Sequence, residues 1–435
     1  MKELLRHTRN YIVMVAISAI MGMFLLIAVY AIPNQRGSMI YRNVADSMEV
    51  LRQFGDNPEL LTGQENTHLD YCTDSLMLNE IVYSGDESLI EKALFVPAYD
   101  ITTGGWLQAL ENYISTGENA GGYIQNYARY WHGYLVILKP LMVIFSYQEL
   151  LILNFFVQMG LVFIVALLLW KKNRGRYILP YLFAVFCLMP LTVAMSMQFS
   201  NMFYITMIAA VVYLLFDQKM TKTGIFPEFF MLLGIVTAYI DFLTYPLLAL
   251  GLVLVLDIIC NQESSLFKQM KRLIIFTICW GVGYFGMWIS KWVLVAICTQ
   301  YDIFREAFMM IQYRMEYAVA EETITYKKVI KYNVFYIFAN MAYIVPFVGM
   351  VLYYIIGITK RIFSQKIEWK CIYGYMYIIL LPFVWYAFTA NHSCQHYYFT
   401  NRTAIIAIFA VFCMLAQLSE KKNIKQDIKQ SEKSY

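Results

Sequence analysis

The chain reads as an all-α, polytopic membrane protein of about ten transmembrane helices, with a long helical loop between the first two. Three observations carry this reading. Of its 435 residues, 60% are hydrophobic and 15% charged, against about 25% charged in ordinary soluble domains. Apolar runs such as "YIVMVAISAIMGMFLLIAVYAI" (11–32) are long enough to cross a hydrocarbon core of about 30 Å at about 1.5 Å per residue. Lys and Arg cluster between such runs, and cytoplasmic loops collect basic residues.

Ten spans fit the basic clusters: 11–31, 148–170, 177–192, 201–216, 226–241, 244–258, 274–297, 333–358, 371–389 and 403–418. Beginning inside, this order puts the amino terminus, "KKNRGR" (171–176), "DQKMTK" (217–222), "KQMKR" (268–272), "KRIFSQKIEWK" (360–370) and the Lys-rich tail on the cytoplasmic side. Of the 34 basic residues, 21 then lie inside, 12 outside, and Lys291 within a span. The expected location is therefore a plasma membrane, with both termini cytoplasmic. Spans of sixteen residues, such as 177–192 and 201–216, are expected to end in polar cavities or lean on neighbours.

Four regions follow. Residues 1–32 read as an uncleaved signal anchor, because "AVYAIPNQ" offers Tyr where a cleavage site prefers a small residue. Residues 33–147 form an extracytoplasmic loop with interfacial helices, 148–418 the multispan bundle, and 419–435 a basic cytoplasmic tail. The stretch 33–132 holds 14 of the 30 acidic residues and is too long for an ordinary connection. Within it Ile40, Val44, Met48 and Leu51 recur at helical spacing, which suggests an amphipathic helix on the membrane surface. Asp46 falls on its polar side. "HGYLVILKPLMVIF" (132–145) carries Lys139 and Pro140 at its centre. A further span there would reverse every later loop, so it reads as an interfacial helix. Eight cysteines are scattered without metal or redox spacing. Cys72 and Cys394 both fall outside, and their pairing stays open.

Several groups are candidates for chemistry. "HLDYCTDSLML" (68–78) sets Asp70 and Asp74 at i and i+4. A helix starting near Thr73, with Thr73 as its cap, would make Asp74 a first-turn acid. Equally, two carboxylates on one face raise one pKa and offer a general base. Lys291, in "GMWISKWVLVAIC", either snorkels beside Trp288 and Trp292 or awaits a lipid-borne phosphate. "NHSCQHYYFTNR" (391–402) gathers His392, His396 and Arg402. Two histidines at i and i+4 lack the further ligands zinc needs, and a phosphate-facing cluster competes with simple interfacial anchoring. "NYARYWHGY" (126–134) supplies Arg129, Tyr130, Trp131 and His132, and "YIDFLTYP" (239–246) supplies Asp241. Aromatic faces with polar neighbours suit sugar rings, though an aromatic belt and a helix cap explain the same residues.

In layout the chain resembles the type C superfamily of integral membrane glycosyltransferases, which includes protein O-mannosyltransferases and the aminoarabinose transferases of lipid A. The shared plan is one span, a long outer loop with a catalytic acid, an interfacial helix opened by His, then a series of spans. In that family a segment beginning His-Pro-Pro-Leu-Tyr leads to a Gly-x-Ser-like turn and an Arg. Here "WHGYLVILKPLMVIFSYQELLILN" keeps His132, Tyr134 and Ser146 in similar relation, without the prolines or the Arg. "LMPLTVAMSMQFSNMFYITM" is similar to the family's outer turn after the third span, with Gln198 and Asn201 near the place of its usual Arg. "DFLTYP", "WISKW" and "NHSCQHYYFTNR" also resemble stretches of multispan proteins from Gram-positive bacteria.

The resemblance implies transfer of a sugar from a polyprenyl-phosphate donor to a cell-surface glycan, lipid or protein acceptor at the outer face, with inversion. Asp70 or Asp74, with Asp46 as rival, would be the base. Lys291, His392, His396 and Arg402 would hold the donor phosphate, and Arg129, Tyr130, Trp131, His132 and Asp241 the sugar or acceptor. No cofactor or metal site is required, although a divalent ion, magnesium or manganese, is compatible with the chemistry. The partners are the donor lipid, the acceptor and the bilayer, and no nucleic acid. A transporter or flippase of lipid-linked glycans needs similar parts, and a polysaccharide polymerase or ligase differs mainly in its acceptor. Transporters often show two related halves, and no such internal symmetry is visible here.

Overall fold

The computed structural model describes residues 2–117, 121–261, 265–319, 322–362 and 372–419. The expected basic tail beyond 419 and most of the 360–370 loop lie outside the described residues. The chain is a multi-pass helical membrane protein. Among the described residues six helical stretches are long and apolar enough to cross a membrane, and four shorter apolar helices accompany them.

α1 (Lys2–Tyr30) carries the first apolar run and ends just ahead of Pro33. α2 (Met39–Phe54) is capped by Ser38, whose side chain accepts from Tyr41 N–H. Its Ile40, Val44, Met48 and Leu51 are buried, as the spacing predicts. They face protein rather than a membrane surface, because α3 (Tyr71–Val82), α5 (Trp106–Thr116) and α7 (Tyr147–Lys171) cover that stripe. An amphipathic stripe specifies only that one side leaves water, not what covers it. α3 starts two residues earlier than expected. Its cap is Asp70 rather than Thr73, with the Asp70 carboxylate accepting from Thr73 N–H at 3.0 Å and Thr73 Oγ1–H at 2.9 Å.

α4 (Leu89–Phe95) opens with a Ser88–Glu91 capping box. An element absent from the all-α reading follows: β1 (Pro97–Asp100) pairs antiparallel with β2 (Tyr123–Asn126), Pro97 opposite Asn126. Four-residue strands joined across α5 leave too short an alternating pattern to read. α6 (Leu135–Leu141) is a seven-residue helix containing Pro140, and a second capping box, Ser146–Glu149, starts α7.

The span expected at 177–192 is broken. α8 (Ile178–Cys187) stops, Met189 takes φ +57°, and α9 (Pro190–Ala194) restarts at a proline that cannot donate to the preceding turn. α10 (Met197–Thr223), α11 (Phe226–Ile240), α12 (Leu247–Cys260) and α13 (Leu266–Cys298) form the centre of the bundle. In α12 every residue from Leu247 to Ile259 is buried, so protein surrounds it. By contrast α7 exposes Ile152, Phe156 and Phe163, and α13 exposes Ile278 and Phe285, as lipid-facing helices do. α14 (Ile303–Met315) precedes a second small ribbon, β3 (Ala318–Val319) with β4 (Glu322–Thr323). The span expected over 333–358 begins later: α15 (Tyr326–Asn333) ends at its first residue, a short 3₁₀ turn follows, and α16 (Met341–Ile362) forms the span. α17 (Ile372–Phe388), α18 (Ala390–Gln395), α19 (Tyr397–Thr400) and α20 (Ile405–Ser419) complete the described chain.

α11 and α13 touch backbone to backbone. A Cβ at Gly234 would meet the Trp280 carbonyl oxygen at 2.1 Å, and one at Gly283 the Met231 carbonyl oxygen at 2.1 Å. Small residues give apolar helices close van der Waals contact where no hydrophobic force drives them together. Gly234→Leu is therefore expected to destabilise the protein by about 1–3 kcal/mol through overpacking. Gly160→Leu on α7, which meets nothing within 4 Å, is expected to be neutral or slightly stabilising. Thermal unfolding in detergent separates the two; equal melting temperatures would show the contact to be dispensable.

Candidate functional site

The turn "RYWHGY", Arg129–Tyr134, is where the loop region meets the helix bundle. Gly133 N–H donates to the Tyr239 carbonyl at 2.8 Å. A Cβ at Gly133 would lie 2.5 Å from that same oxygen, so the approach requires glycine. Trp131 Nε1–H donates to the Met287 carbonyl at 2.6 Å, and Trp292 Nε1–H to the Arg129 carbonyl at 3.0 Å, tying the turn to α13. His132 is held at φ +53°, a left-handed conformation that costs a residue with a Cβ about 1–2 kcal/mol. Facing it is the turn after α11. There Asp241 accepts from Thr244 N–H at 3.0 Å and from the Thr244 hydroxyl, and Leu243 takes φ +69°. Between the two strained turns Phe242 sets its ring 4.5 Å from that of His132 and 4.9 Å from that of Tyr134.

A buried carboxylate sits under this turn. The Tyr134 hydroxyl donates to Glu80 Oε2 on α3, and His132 Nδ1 lies 3.0 Å from the Tyr134 oxygen and 2.9 Å from Glu80 Oε1. Both Glu80 and His132 side chains are 0% exposed. One proton arrangement links the three groups: Tyr134 O–H points at Glu80 Oε2 and His132 Nδ1–H at the Tyr134 oxygen. Nε2 then keeps its lone pair, and it has no hydrogen-bond partner among the described residues. Burial pushes the imidazole below its ordinary pKa, outweighing the pull of Glu80, and so favours the neutral ring. A neutral imidazole oriented through Nδ1 is the arrangement of a general base.

Cations gather on the other side of Tyr130. Arg314 of α14 donates from Nη2 to the Tyr130 hydroxyl at 3.1 Å and from Nη1 to His392 Nδ1. His392 Nε2–H in turn donates to the Leu243 carbonyl at 2.8 Å. That ring is neutral too: burial first, then Arg314 and His396, hold it well below the usual histidine range. His396 stacks on Phe399 at 5.2 Å and lies 4.9 Å from the His392 ring. Arg129 pairs with Glu306 of α14, which also accepts from the Tyr301 hydroxyl at 2.7 Å. Lys291 is fully buried, donating to the Ala93 carbonyl at 2.7 Å with its ammonium 5.2 Å from the Trp131 ring.

The structure thus brings Arg129, Tyr130, Trp131, His132, Asp241, Lys291 and His392 around one turn. It does not bring the three outer-loop acids to them. Asp74 is a cap for another helix: its carboxylate accepts from Met197 N–H at 2.8 Å and Gln198 N–H at 3.0 Å at the start of α10, and from the Tyr147 hydroxyl at 2.5 Å. Asp70 caps its own helix, and Asp46 is exposed on α2. Arg402, buried near Asp70, donates to the carbonyls of Leu188, Tyr398 and Asn66 at 3.3, 2.8 and 3.5 Å, with its guanidinium 4.3 Å from the Phe199 ring. Asp70, Asp74, Lys291 and Arg402, to which the resemblance gave roles in one reaction, are each already engaged by backbone groups, and Asp46 is exposed. Cys72 and Cys394 are free thiols. Among the described residues no group of three or more His, Cys, Asp or Glu side chains is arranged to hold a metal ion.

Glu80, Tyr134 as its donor, Arg314 and Glu306 escaped the sequence reading. The one available signal was a lone carboxylate in the run "SLMLNEIV" (75–82), since an acid amid apolar residues implies a buried partner.

Tyr134 also lines a cavity of about 560 Å³ between α7, α10 and α11, roofed by Ile137, Leu138 and Leu141 of α6. Its walls are almost wholly apolar, and Ile137, Leu153, Ile208 and Leu232 are exposed along it, so it opens sideways. Asn154, Ser200, Asn201 and Tyr204 make a polar patch in its wall.

Burial raises the Asp74 carboxyl from 3.8 to about 7 despite its donors. The folded chain therefore holds that proton more tightly than the unfolded one. Its contribution to stability is full below about pH 4 and lost as pH rises through about 7. Asp74→Asn is expected to flatten that part of the melting temperature–pH curve. At low pH it should cost about 1–3 kcal/mol, because an amide NH₂ opposes the α10 donors. An unchanged pH profile would remove Asp74 from this role. No protein-family model matches the chain, and neither a curated protein nor a solved structure matches it.

Proposed function

We propose that this protein is a membrane glycosyltransferase that moves a sugar from a polyprenyl-phosphate donor to an acceptor hydroxyl or amine at the extracytoplasmic surface. The observation that carries the reading is the double role of Tyr134. It lines a laterally open apolar groove and is hydrogen-bonded to a buried carboxylate–imidazole pair. A prenyl chain has the shape and polarity for such a groove, and burying it there removes apolar surface from contact with polar headgroups. The ten-span topology, with the Glu80–His132 end outside, supports the orientation, since 21 of 34 basic residues then lie inside.

In this mechanism His132 Nε2 takes the proton from the acceptor as its oxygen or nitrogen attacks the anomeric carbon. The bond from that carbon to the phosphate oxygen breaks on the opposite face, its electron pair leaves with the lipid phosphate, and configuration inverts. Glu80, through Tyr134, holds the ring in the correct tautomer and stabilises the imidazolium that forms. The base is thus His132 oriented by Glu80, in place of Asp70, Asp74 or Asp46. Residues Tyr130, Trp131 and Phe242 supply aromatic surface for the sugar.

A laterally open groove also suits a flippase for lipid-linked glycans, which would move the donor between leaflets without consuming it. The two readings separate in reconstituted vesicles supplied with a labelled polyprenyl-phosphate sugar. Release of free polyprenyl phosphate with label on an acceptor is expected. His132→Ala and Glu80→Gln should lower that turnover by about 10²–10⁴-fold, and Ile205→Trp in the groove should raise KM for the donor more than it lowers kcat. Full turnover in His132→Ala sinks the assignment of the base, and donor translocation without release sinks the transferase.

A further inference from the structure

The reacting cluster is closed: His132 and Glu80 side chains are 0% exposed. Above it lies α14, and the way this helix is held differs from the rest of the bundle. Only Ile303 and Ala307 of its thirteen residues are buried. Phe304, Phe308, Met309, Tyr313 and Met315 are exposed. Ile303 and Ala307 pack with Ala128, Trp292 and Val295, and its polar ties to the site are Glu306 to Arg129 and Arg314 to Tyr130 and His392.

Around Tyr130 there is also an excess of donors. Arg129 Nε, Arg314 Nε, Trp288 Nε1 and the Tyr284 hydroxyl are all buried with no hydrogen-bond partner among the described residues. The Tyr130 ring connects them: it lies 5.8 Å from the Arg129 guanidinium carbon and 5.4 Å from the Trp288 ring, and Trp288 is 5.5 Å from Tyr284. Unmet buried donors cost about 1–3 kcal/mol each, more for charged groups, so this many in one place point to a missing acceptor. The acid on α14, Glu306, reaches only Arg129 among them, while Asp241 is already engaged by Thr244 and Glu80 by Tyr134. With Glu306 paired to Arg129, the Arg314 guanidinium, held by Tyr130 and His392, has no carboxylate partner among the described residues. A planar fork of N–H groups is the donor set that recognises phosphoryl oxygens.

We propose that Arg129 and Arg314 form a phosphoryl-binding site, that Glu306 occupies it in the closed protein, and that α14 is a lid released when an anionic substrate replaces that carboxylate. The proposal rests on the transferase reading only for the source of the phosphoryl group. A lipid chain lying in the groove and ending at Tyr134 would carry its phosphate past Phe242 to Tyr130, whose rings are 6.0 Å apart. The exposed apolar side of α14 keeps the opened lid at the bilayer surface.

Binding of farnesyl phosphate, farnesol and inorganic phosphate to the purified full chain tests this without turnover. Glu306→Gln should tighten farnesyl phosphate at least fivefold, because the competing carboxylate is gone. It should also speed backbone hydrogen exchange across Ile303–Met315. Arg129→Gln and Arg314→Gln should each weaken farnesyl phosphate at least tenfold. Arg314→Lys should fall between them and wild type, since it keeps the charge and loses the fork. Unchanged farnesol binding certifies each variant as folded; for a variant that loses it, Arg314→Lys carries the comparison. Weak inorganic phosphate binding with the same Arg dependence supports a lipid-borne source, whereas affinity equal to farnesyl phosphate overturns that source and keeps the site. Unchanged affinity in Glu306→Gln, or wild-type affinity in both arginine variants, overturns the proposal. Arg-dependent binding in a chain that transfers no sugar would instead overturn the transferase reading alone.

Discussion

The hydrogen bond from Gly133 N–H to the Tyr239 carbonyl sets the geometry of everything around it. It forces the backbone of one turn against the end of α11, closer than a residue with a Cβ allows. With that contact made, the chain on either side has little freedom. Trp131 and His132 diverge on one side, and Tyr134 turns back on the other to meet Glu80. The positive φ values at His132 and Leu243 are the local cost. Strain of that kind persists only where the surroundings over-determine it. Here they do, through two tryptophan N–H bonds to backbone carbonyls and the Phe242 ring packed between the turns.

Most of the helices were legible because a membrane demands long apolar runs, and such runs are local in sequence. The interruptions were less so. Met189–Pro190 breaks an apolar run that hydropathy alone carries through, and the 333–358 run opens with a 3₁₀ turn before α16 begins at Met341. The site was half legible. "NYARYWHGY" and "DFLTYP" stood out by their aromatic and charged content, and their residues do gather at one place. What completes the place comes from Glu80, Arg314 and Glu306, of which only Glu80, a lone acid in an apolar run, carries a local mark. Their meeting is a tertiary fact, set by how α3 and α14 cross the turn, and no spacing within a single helix encodes it. Asp70 and Asp74 misled for a related reason. Two carboxylates at i and i+4 look like a pair, yet one caps its own helix and the other caps α10 more than a hundred residues away.

Capping across the fold joins the loop region to the bundle. Helix starts leave backbone N–H groups without partners, and a side-chain acceptor from elsewhere can meet them. Asp74 does this for α10, and Tyr147 N–H at the start of α7 donates to Ser47 Oγ of α2 at 3.0 Å. Two bundle helices thus begin on groups supplied by residues 33–132. The loop region is consequently part of the bundle's foundation, and Glu80, six residues along α3 from Asp74, inherits a fixed position from it.

Buried charge distinguishes structural from reactive groups here. Arg402 is a large buried cation, but three carbonyls and two aromatic faces surround it, so its donors are met and its plane is fixed. Lys291 meets one carbonyl and one indole face, which anchors the Trp131 end of the turn. Neither leaves an atom open toward a reactant. His132 differs: every contact it makes is on Nδ1 or the ring faces, and Nε2 is left bare in a place that water does not reach. Folding alone would have filled that position more stably with an apolar ring such as Phe242 beside it, since an unmet buried nitrogen is unfavourable and a left-handed backbone adds to it. The combination is understandable where a further atom, arriving with a substrate, becomes the missing partner.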